Sequence, residues 1–272
     1  MRQLGERPRS PRALTGPGGA GGRAAGRALR ASSTTMLLAV RPQTLDHVAL
    51  WVADRDRIAD FVTGGVGMHI VDRTDAFTLV GSDARRGKLT LFAEEGPRER
   101  GPLKHVALRV SDVEQALADL PEDVEVERPR DGEAYFDVSE GLRLGLVEAT
   151  TDVEFDLDHV ALYSADPAAT AEAYVPLGFN AAEPGPSGAD RVEVGGAFVE
   201  FHDGDATEHE RPLLNHLAMR VESAADHIAE AKQLGVEIDK VVDAANTYAV
   251  FVYGPERVKL EYVEHKPGFA LT

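Results

Sequence analysis

The sequence predicts an α+β fold of four βαβββ modules, paired into two cup-forming domains, and three observations carry that expectation. Four short segments are near copies of one another: LDHVALWV from Leu45, LKHVALRV from Leu103, LDHVALYS from Leu157 and LNHLAMRV from Leu214. Their histidines, His47, His105, His159 and His216, recur at intervals of 58, 54 and 57 residues, a period that marks a repeat architecture. Each copy is then followed by the same kinds of local pattern.

The β-branched, alternating first segment of each module reads as a strand. A polar turn and an amphipathic helix come next, as DRDRIADFV from Asp54, SDVEQALADL from Ser111, DPAATAEAY from Asp166 and SAADHIAEAKQLG from Ser223. Asp54, Ser111, Asp166 and Ser223 are the expected N-caps, because their side-chain oxygens can take a backbone N–H of the first helical turn. Three short strands between Gly-containing turns complete each unit. In the fourth they are VEIDKV, TYAVFV and RVKLEYV. One module of about 55 residues buries too little surface to stand alone. Pairing consecutive modules gives an N-terminal domain over 36–152 and a C-terminal domain over 153–272.

Composition narrows the function classes. With no cysteine, zinc–thiolate sites, iron–sulfur clusters, disulfides and a cysteine nucleophile are excluded, so any metal must be held by His, Asp or Glu. Residues 1–35 carry seven Arg and one acid, with much Gly, Pro, Ala and Ser and no hydrophobic periodicity. They read as a disordered basic leader outside the fold, from translated upstream sequence with Met36 as the natural start rather than a transit peptide. Subtracting their +6 from the total of -17 leaves -23 on residues 36–272. So acidic a body repels nucleic acid and anionic membrane. A cytoplasmic enzyme acting on a small molecule is the expectation, with homo-oligomerisation left open.

Alternation along the strands selects the site. In each first strand the histidine shares a face with an alanine two residues on: Ala49, Ala107, Ala161 and Ala218. In the last strands, Thr90, Gly145, Glu200 and Glu261 fall at equivalent places. With consecutive modules paired, the C-terminal cup presents His159, His216, Glu261 and Glu200, while the N-terminal one has His47 and His105 beside Thr90 and Gly145. Two imidazoles and one or two carboxylates make an open site for one divalent ion, Fe(II) first, with Mn(II), Ni(II) and Zn(II) as alternatives. His47 and His105 line a pocket without an anionic ligand. His202, two residues beyond Glu200, is the candidate acid–base at the rim, and Tyr248 the candidate cup-lining phenol. His209, His227 and His265 are expected at the solvated surface.

These residues resemble the vicinal oxygen chelate superfamily, which includes glyoxalase I, bleomycin and fosfomycin resistance proteins and type I extradiol dioxygenases. The four-module layout looks most like the dioxygenases, in which two His and one Glu hold Fe(II). The resemblance implies a ring-cleaving dioxygenase acting on a catechol-like molecule with vicinal oxygens. A glyoxalase-type isomerase or lyase is the alternative, since Glu200 matches the place of a glyoxalase carboxylate ligand, and a drug-binding module is the third reading. The closing motif of the dioxygenases is matched in part, over Phe251, Gly254-Pro255-Glu256-Arg257 and Glu261. Phe251 stands where the family has Tyr, and Val242 near the place of its second-shell His.

Overall fold

The computed structural model describes residues 41–82, 87–206 and 209–267, so the basic leader over 1–35 and Met36 lie outside the described residues. The first module comprises β1 (Thr44–Val52), α1 (Arg55–Gly64), β2 (His69–Arg73), β3 (Phe77–Gly81) and β4 (Lys88–Ala93). The second has β5 (Leu103–Val110), α2 (Val113–Ala116), β6 (Glu133–Ser139) and β7 (Leu142–Glu148). The third runs through β8 (Asp156–Ser164), α3 (Pro167–Tyr174), β9 (Asn180–Ala181), β10 (Asp190–Val194) and β11 (Ala197–Asp203). The fourth contains β12 (Leu214–Arg220), α4 (Ala224–Leu234), β13 (Ile238–Asp243), β14 (Thr247–Tyr253) and β15 (Lys259–His265).

Three modules are therefore βαβββ, and the second is abbreviated. Its VEVE stretch forms only an isolated bridge between Glu127 and Tyr135, because Pro129 removes a ladder donor and Gly132 turns the chain at φ 72°. Helix starts follow the caps. Asp54, Asp166 and Ser223 accept from Arg57, Ala169 and Asp226 backbone N–H groups at 3.1 Å each. In the second module the cap is Asp112, not Ser111, at 2.9 Å from the Gln115 nitrogen. Each such cap contributes about 1 kcal/mol.

The pairing of modules differs from the consecutive pairing expected. One sheet runs β13-β14-β15-β12-β1-β4-β3-β2 and the other β6-β7-β5-β8-β11-β10-β9. Module 1 thus pairs with module 4 through antiparallel β1 and β12, and module 2 with module 3 through β5 and β8. The boundary expected at 152–153 falls inside the second pair. The physical reason is that the seam is built by the four first strands, whose near-identical side chains fit 1–2, 1–4 or 2–3 pairing equally well. Helix-facing side chains of both sheets, including Leu50, Val106, Val160 and Leu217, join one continuous apolar core. Burying each of these contributes about 1.5–3 kcal/mol. Among the described residues no helix is long and apolar enough to cross a membrane.

This pairing has a direct test. Thr44 and Arg220 are register partners across β1 and β12, and cross-strand partners lie within disulfide reach. In a chain with no native cysteine, the Thr44→Cys, Arg220→Cys protein should lose both free thiols on mild oxidation without unfolding. Two persistent thiols in the folded double variant would contradict the 1–4 pairing.

Candidate metal centre

Each repeat histidine is aimed by a β-bulge. Opposite β12, Leu45 pairs with Met219 and His47 with Ala218, which makes Asp46 the extra residue. Asn215 in β12 is bulged in the same way, as are Lys104 in β5 and Asp158 in β8. A bulge breaks the alternation of faces, so the residue before the histidine can reach the imidazole. Asp46 accepts from His47 Nδ1–H at 2.8 Å, Asp158 from His159 Nδ1–H at 2.8 Å, and Asn215 Oδ1 from His216 Nδ1–H at 3.0 Å. Lys104 has no lone pair to offer in this way. The sequence shows this signal as Asp, Lys, Asp and Asn before the four histidines, and the expectations above passed over it.

The last strands then deliver the fourth corner of each cup. Thr90, Gly145, Glu200 and Glu261 pair in register with Ala49, Ala107, Ala161 and Ala218, the equivalence the repeat predicts. Because module 1 joins module 4, however, the four residues expected to share a cup are divided. His216 and Glu261 stand with His47 and Thr90, whereas His159 and Glu200 stand with His105 and Gly145. The expected set of His159, His216, Glu261 and Glu200 is thereby corrected, and His47 moves from pocket wall to candidate ligand.

In the first cup His216 Nε2 lies 2.8 Å from Glu261 Oε2 and 3.2 Å from His47 Nε2, and His47 Nε2 lies 3.3 Å from Glu261 Oε2. Among the described residues this is the group of three or more possible ligands whose donor atoms all fall within 4.8 Å of one another. The Nδ1 protons of both imidazoles are committed to Asp46 and Asn215. Both Nε2 atoms therefore turn lone pairs toward an anionic oxygen, and such a cluster repels itself unless a cation or a proton lies within it. Two imidazoles and a carboxylate of this kind suit a divalent transition metal.

The electrostatics agree. Burial alone would lower the His47 pKa, but its bonds to Asp46 and Glu261 outweigh that and raise it to about 9. Burial would raise Glu261, yet its contacts with the His216 and His47 imidazoles hold it at about 2. His216 is lowered, burial outweighing the pull of Glu261. Asp46, 1% exposed, would be raised by burial, but the Lys88 ammonium at 3.0 Å and bonds from His265 at 3.3 Å and His47 keep it well below the usual range. Such a carboxylate behind a ligand histidine fixes its tautomer and ring orientation.

A cavity of about 290 Å³ opens over this group, walled by Phe77, Phe92, Phe251, Leu79, Val242 and Val263. Phe251 meets the His216 ring edge-on at 5.1 Å and carries Lys240 Nζ 4.4 Å over its own face. His265 lines the same cavity instead of lying at a solvated surface, and Lys88 and Asp46 complete its floor. His227 is also buried, stacked on Tyr262 at 4.6 Å on the helix side.

The two candidate catalytic residues fall elsewhere. Tyr248 packs on the main core, because Ala249 and Phe251 take the cup-facing positions of β14 and alternation sends Tyr248 to the other side. His202 belongs to the second cup, 3.5 Å from Glu200 Oε2 and 3.0 Å from Lys104 Nζ. There His105 and His159 close on each other at 2.9 Å, while Glu200 lies beside Arg191 at 3.7 Å.

Comparison with known proteins agrees with this architecture. The sequence profile of the Glyoxalase/Bleomycin resistance protein/Dioxygenase superfamily matches residues 44–135. A solved structure of a candidate dioxygenase from Bacillus subtilis subsp. subtilis str. 168 is similar at 19% identity and TM-score 0.69, over 85% of this chain and 88% of that one. Glyoxalase I from Zea mays is similar at 16% identity and TM-score 0.63, over 81% and 92%. The cppA protein from Streptococcus pneumoniae TIGR4 follows at 14% identity and TM-score 0.58, over 83% and 99%. At these identities the likeness is one of fold. No curated protein matches the chain in sequence.

Proposed function

We propose that this chain is a member of the Glyoxalase/Bleomycin resistance protein/Dioxygenase superfamily, whose sequence profile matches residues 44–135, and a metal-dependent ring-cleaving dioxygenase of the extradiol type. The observation that carries the reading is the His47, His216, Glu261 group beneath an aromatic-walled cup. His47, His216 and Glu261 would hold the ion, Fe(II) in the first instance, with Mn(II), Ni(II) or Zn(II) as the other ions this donor set accepts. When bound, Fe(II) supplies Lewis acidity toward two vicinal oxygens and redox capacity toward O2.

The chain's own residues do the rest. Phe77, Phe92 and Phe251 match a flat ring and exclude water, which strengthens every charge interaction at the cup floor. His265 borders the cavity and takes the proton that a catechol hydroxyl gives up, a role not open to Phe251 or Val242. Thr90 stands where a fourth carboxylate would be needed as base for glyoxalase-type proton transfer, and Glu200 belongs to the other cup. That difference favours ring cleavage over isomerisation. A small-molecule substrate in the cytoplasm, rather than nucleic acid or membrane, accords with the acidic body.

Protein stripped of metal and reloaded with Fe(II) under anaerobic conditions should bind a catechol and, on admission of air, consume O2 while forming a yellow ring-opened product. His265→Ala should slow turnover by about 10²–10⁴-fold, the usual worth of a positioned acid–base group. Metal-dependent isomerisation of thiohemiacetals without O2 uptake would transfer the chain to the glyoxalase side. Tight binding of an aromatic compound by metal-free protein, with neither reaction, would make it a binding module.

A further inference from the structure

The second cup, between modules 2 and 3, encloses the larger cavity, about 550 Å³, within the range of small-ligand sites. The internal repeat allows it to be compared with the first cup position by position. Gly145 stands where Glu261 stands in the first cup, and Tyr135 pairs across from it as Phe251 does from Glu261. The Tyr135 ring lies over that place: a Cβ at 145 would meet Tyr135 Cε1 at 2.5 Å. No longer side chain fits there without moving the ring. Tyr135 also meets the His105 ring at a steep angle, with centroids 4.8 Å apart.

The would-be ligands are already engaged. Asp158 holds His159 Nδ1–H, so His159 Nε2 accepts from His105 Nε2–H at 2.9 Å. Burial and the neighbouring His159 and Lys104 push His105 down to about 2, so it stays neutral. Glu200 is turned to Arg191 and His202. The bulge position that bears an acceptor in the other three modules bears Lys104 here. Its ammonium bonds to His202 Nδ1 at 3.0 Å, which occupies one of three protons, and among the described residues no carboxylate lies within ion-pair distance of it. By contrast, the cavity's carboxylates are matched: Glu127 by Arg143, Glu133 by Arg130, Asp137 by Arg100, Asp158 by Arg109 and Glu200 by Arg191. Two aromatic rings of the lining each carry a guanidinium over one face, Phe198 under Arg191 at 3.8 Å and Tyr135 under Arg143 at 5.8 Å.

We infer that the second cup is a metal-free binding site for a small aromatic carboxylate, whose anionic group is held by Lys104 and whose ring lies against Phe198, Tyr135 and Tyr163. The carboxylate supplies a counter-charge at ion-pair distance from Lys104, and burial lowers the Lys104 pKa, against the opposing pull of Glu200, in keeping with a partly desolvated ammonium. A ligand's ring gains from aromatic faces. The metal site of the first cup takes no part.

Benzoate titrated calorimetrically into the metal-loaded protein at low ionic strength should bind one per chain, and benzylamine at least tenfold more weakly. Chelator-stripped protein should bind benzoate equally well. Lys104→Met and Lys104→Gln should each raise Kd at least tenfold with the far-ultraviolet spectrum unchanged, while Lys104→Arg should stay within about threefold. Binding unaffected by either neutral variant, benzylamine binding as tightly as benzoate, no benzoate heat at millimolar concentrations, or a second metal equivalent displacing benzoate would overturn the assignment.

Discussion

Glu261→Ala should lower the affinity for a divalent ion by more than about a hundredfold, while Glu200→Ala leaves it within about threefold. Loss of a supporting group behind a ligand typically costs 10–100-fold, and Glu261 is more than that. It is the anionic member of the cluster, 7% exposed and within 3.3 Å of both imidazole Nε2 atoms. Without it two imidazoles must hold a dication in a buried place, with Thr90 offering only a hydroxyl. Glu200 lies in the other sheet beside Arg191 and His202, so its removal touches no atom of the first cup. Competition against a chromogenic chelator measures both variants. Equal losses in the two would restore the grouping of His159, His216, Glu200 and Glu261 in one cup, and undiminished binding in Glu261→Ala would remove Glu261 from the ligand set.

The contrast between those two glutamates shows what the sequence could and could not supply. Alternation along β11 and β15 was sufficient to turn Glu200 and Glu261 toward cups, and the repeat was sufficient to make them equivalent. The choice of partner for each module was not legible, because pairing runs through first strands that are nearly the same sequence. Consecutive pairing was the simplest assumption, yet it concentrates both carboxylates in one cup and leaves the other with none. The 1–4 and 2–3 pairing gives each cup one. The bulges were legible only in part: Asp46, Lys104, Asp158 and Asn215 are visible before each histidine, but a strict period of two assigns them to the wrong face. His265 departs from the solvated surface expected of it for a related reason, since β15 extends as far as this residue and carries it along the cup wall to within 3.3 Å of Asp46. Tyr248 was misassigned by one step of the alternation along β14.

Metal affinity should rise with pH, by about tenfold per unit between roughly pH 6.5 and 9, and level off above that. In the metal-free chain the cluster is reconciled by a proton on His47, whose pKa is raised from 6.5 to about 9 by Asp46 and Glu261 against the opposing effect of burial. An ion needs the same Nε2 lone pair, so at neutral pH it must displace that proton, with nearly one proton released per ion bound. His216 does not compete in this range, because its pKa is lowered. The stability of the metal-free protein should move the other way. The contribution of His47 is complete below about 6.5 and is lost as the pH rises through 9. That of Glu261, lowered from 4.5 to about 2, is complete above about 4.5 and is lost as the pH falls through 2. Both are present together from about pH 4.5 to 6.5, where the metal-free fold gains most from this pair. Asp46→Asn tests the cause. An amide in place of the carboxylate removes the first of the interactions that raise His47, so the rise in affinity should level off at lower pH. Chelator competition across pH 6–9.5, with calorimetry in two buffers of different ionisation heat, reads both the slope and the proton count. An affinity that is flat from pH 6.5 to 8.5, with no proton released, would mean that His47 is not the group the metal and the proton share.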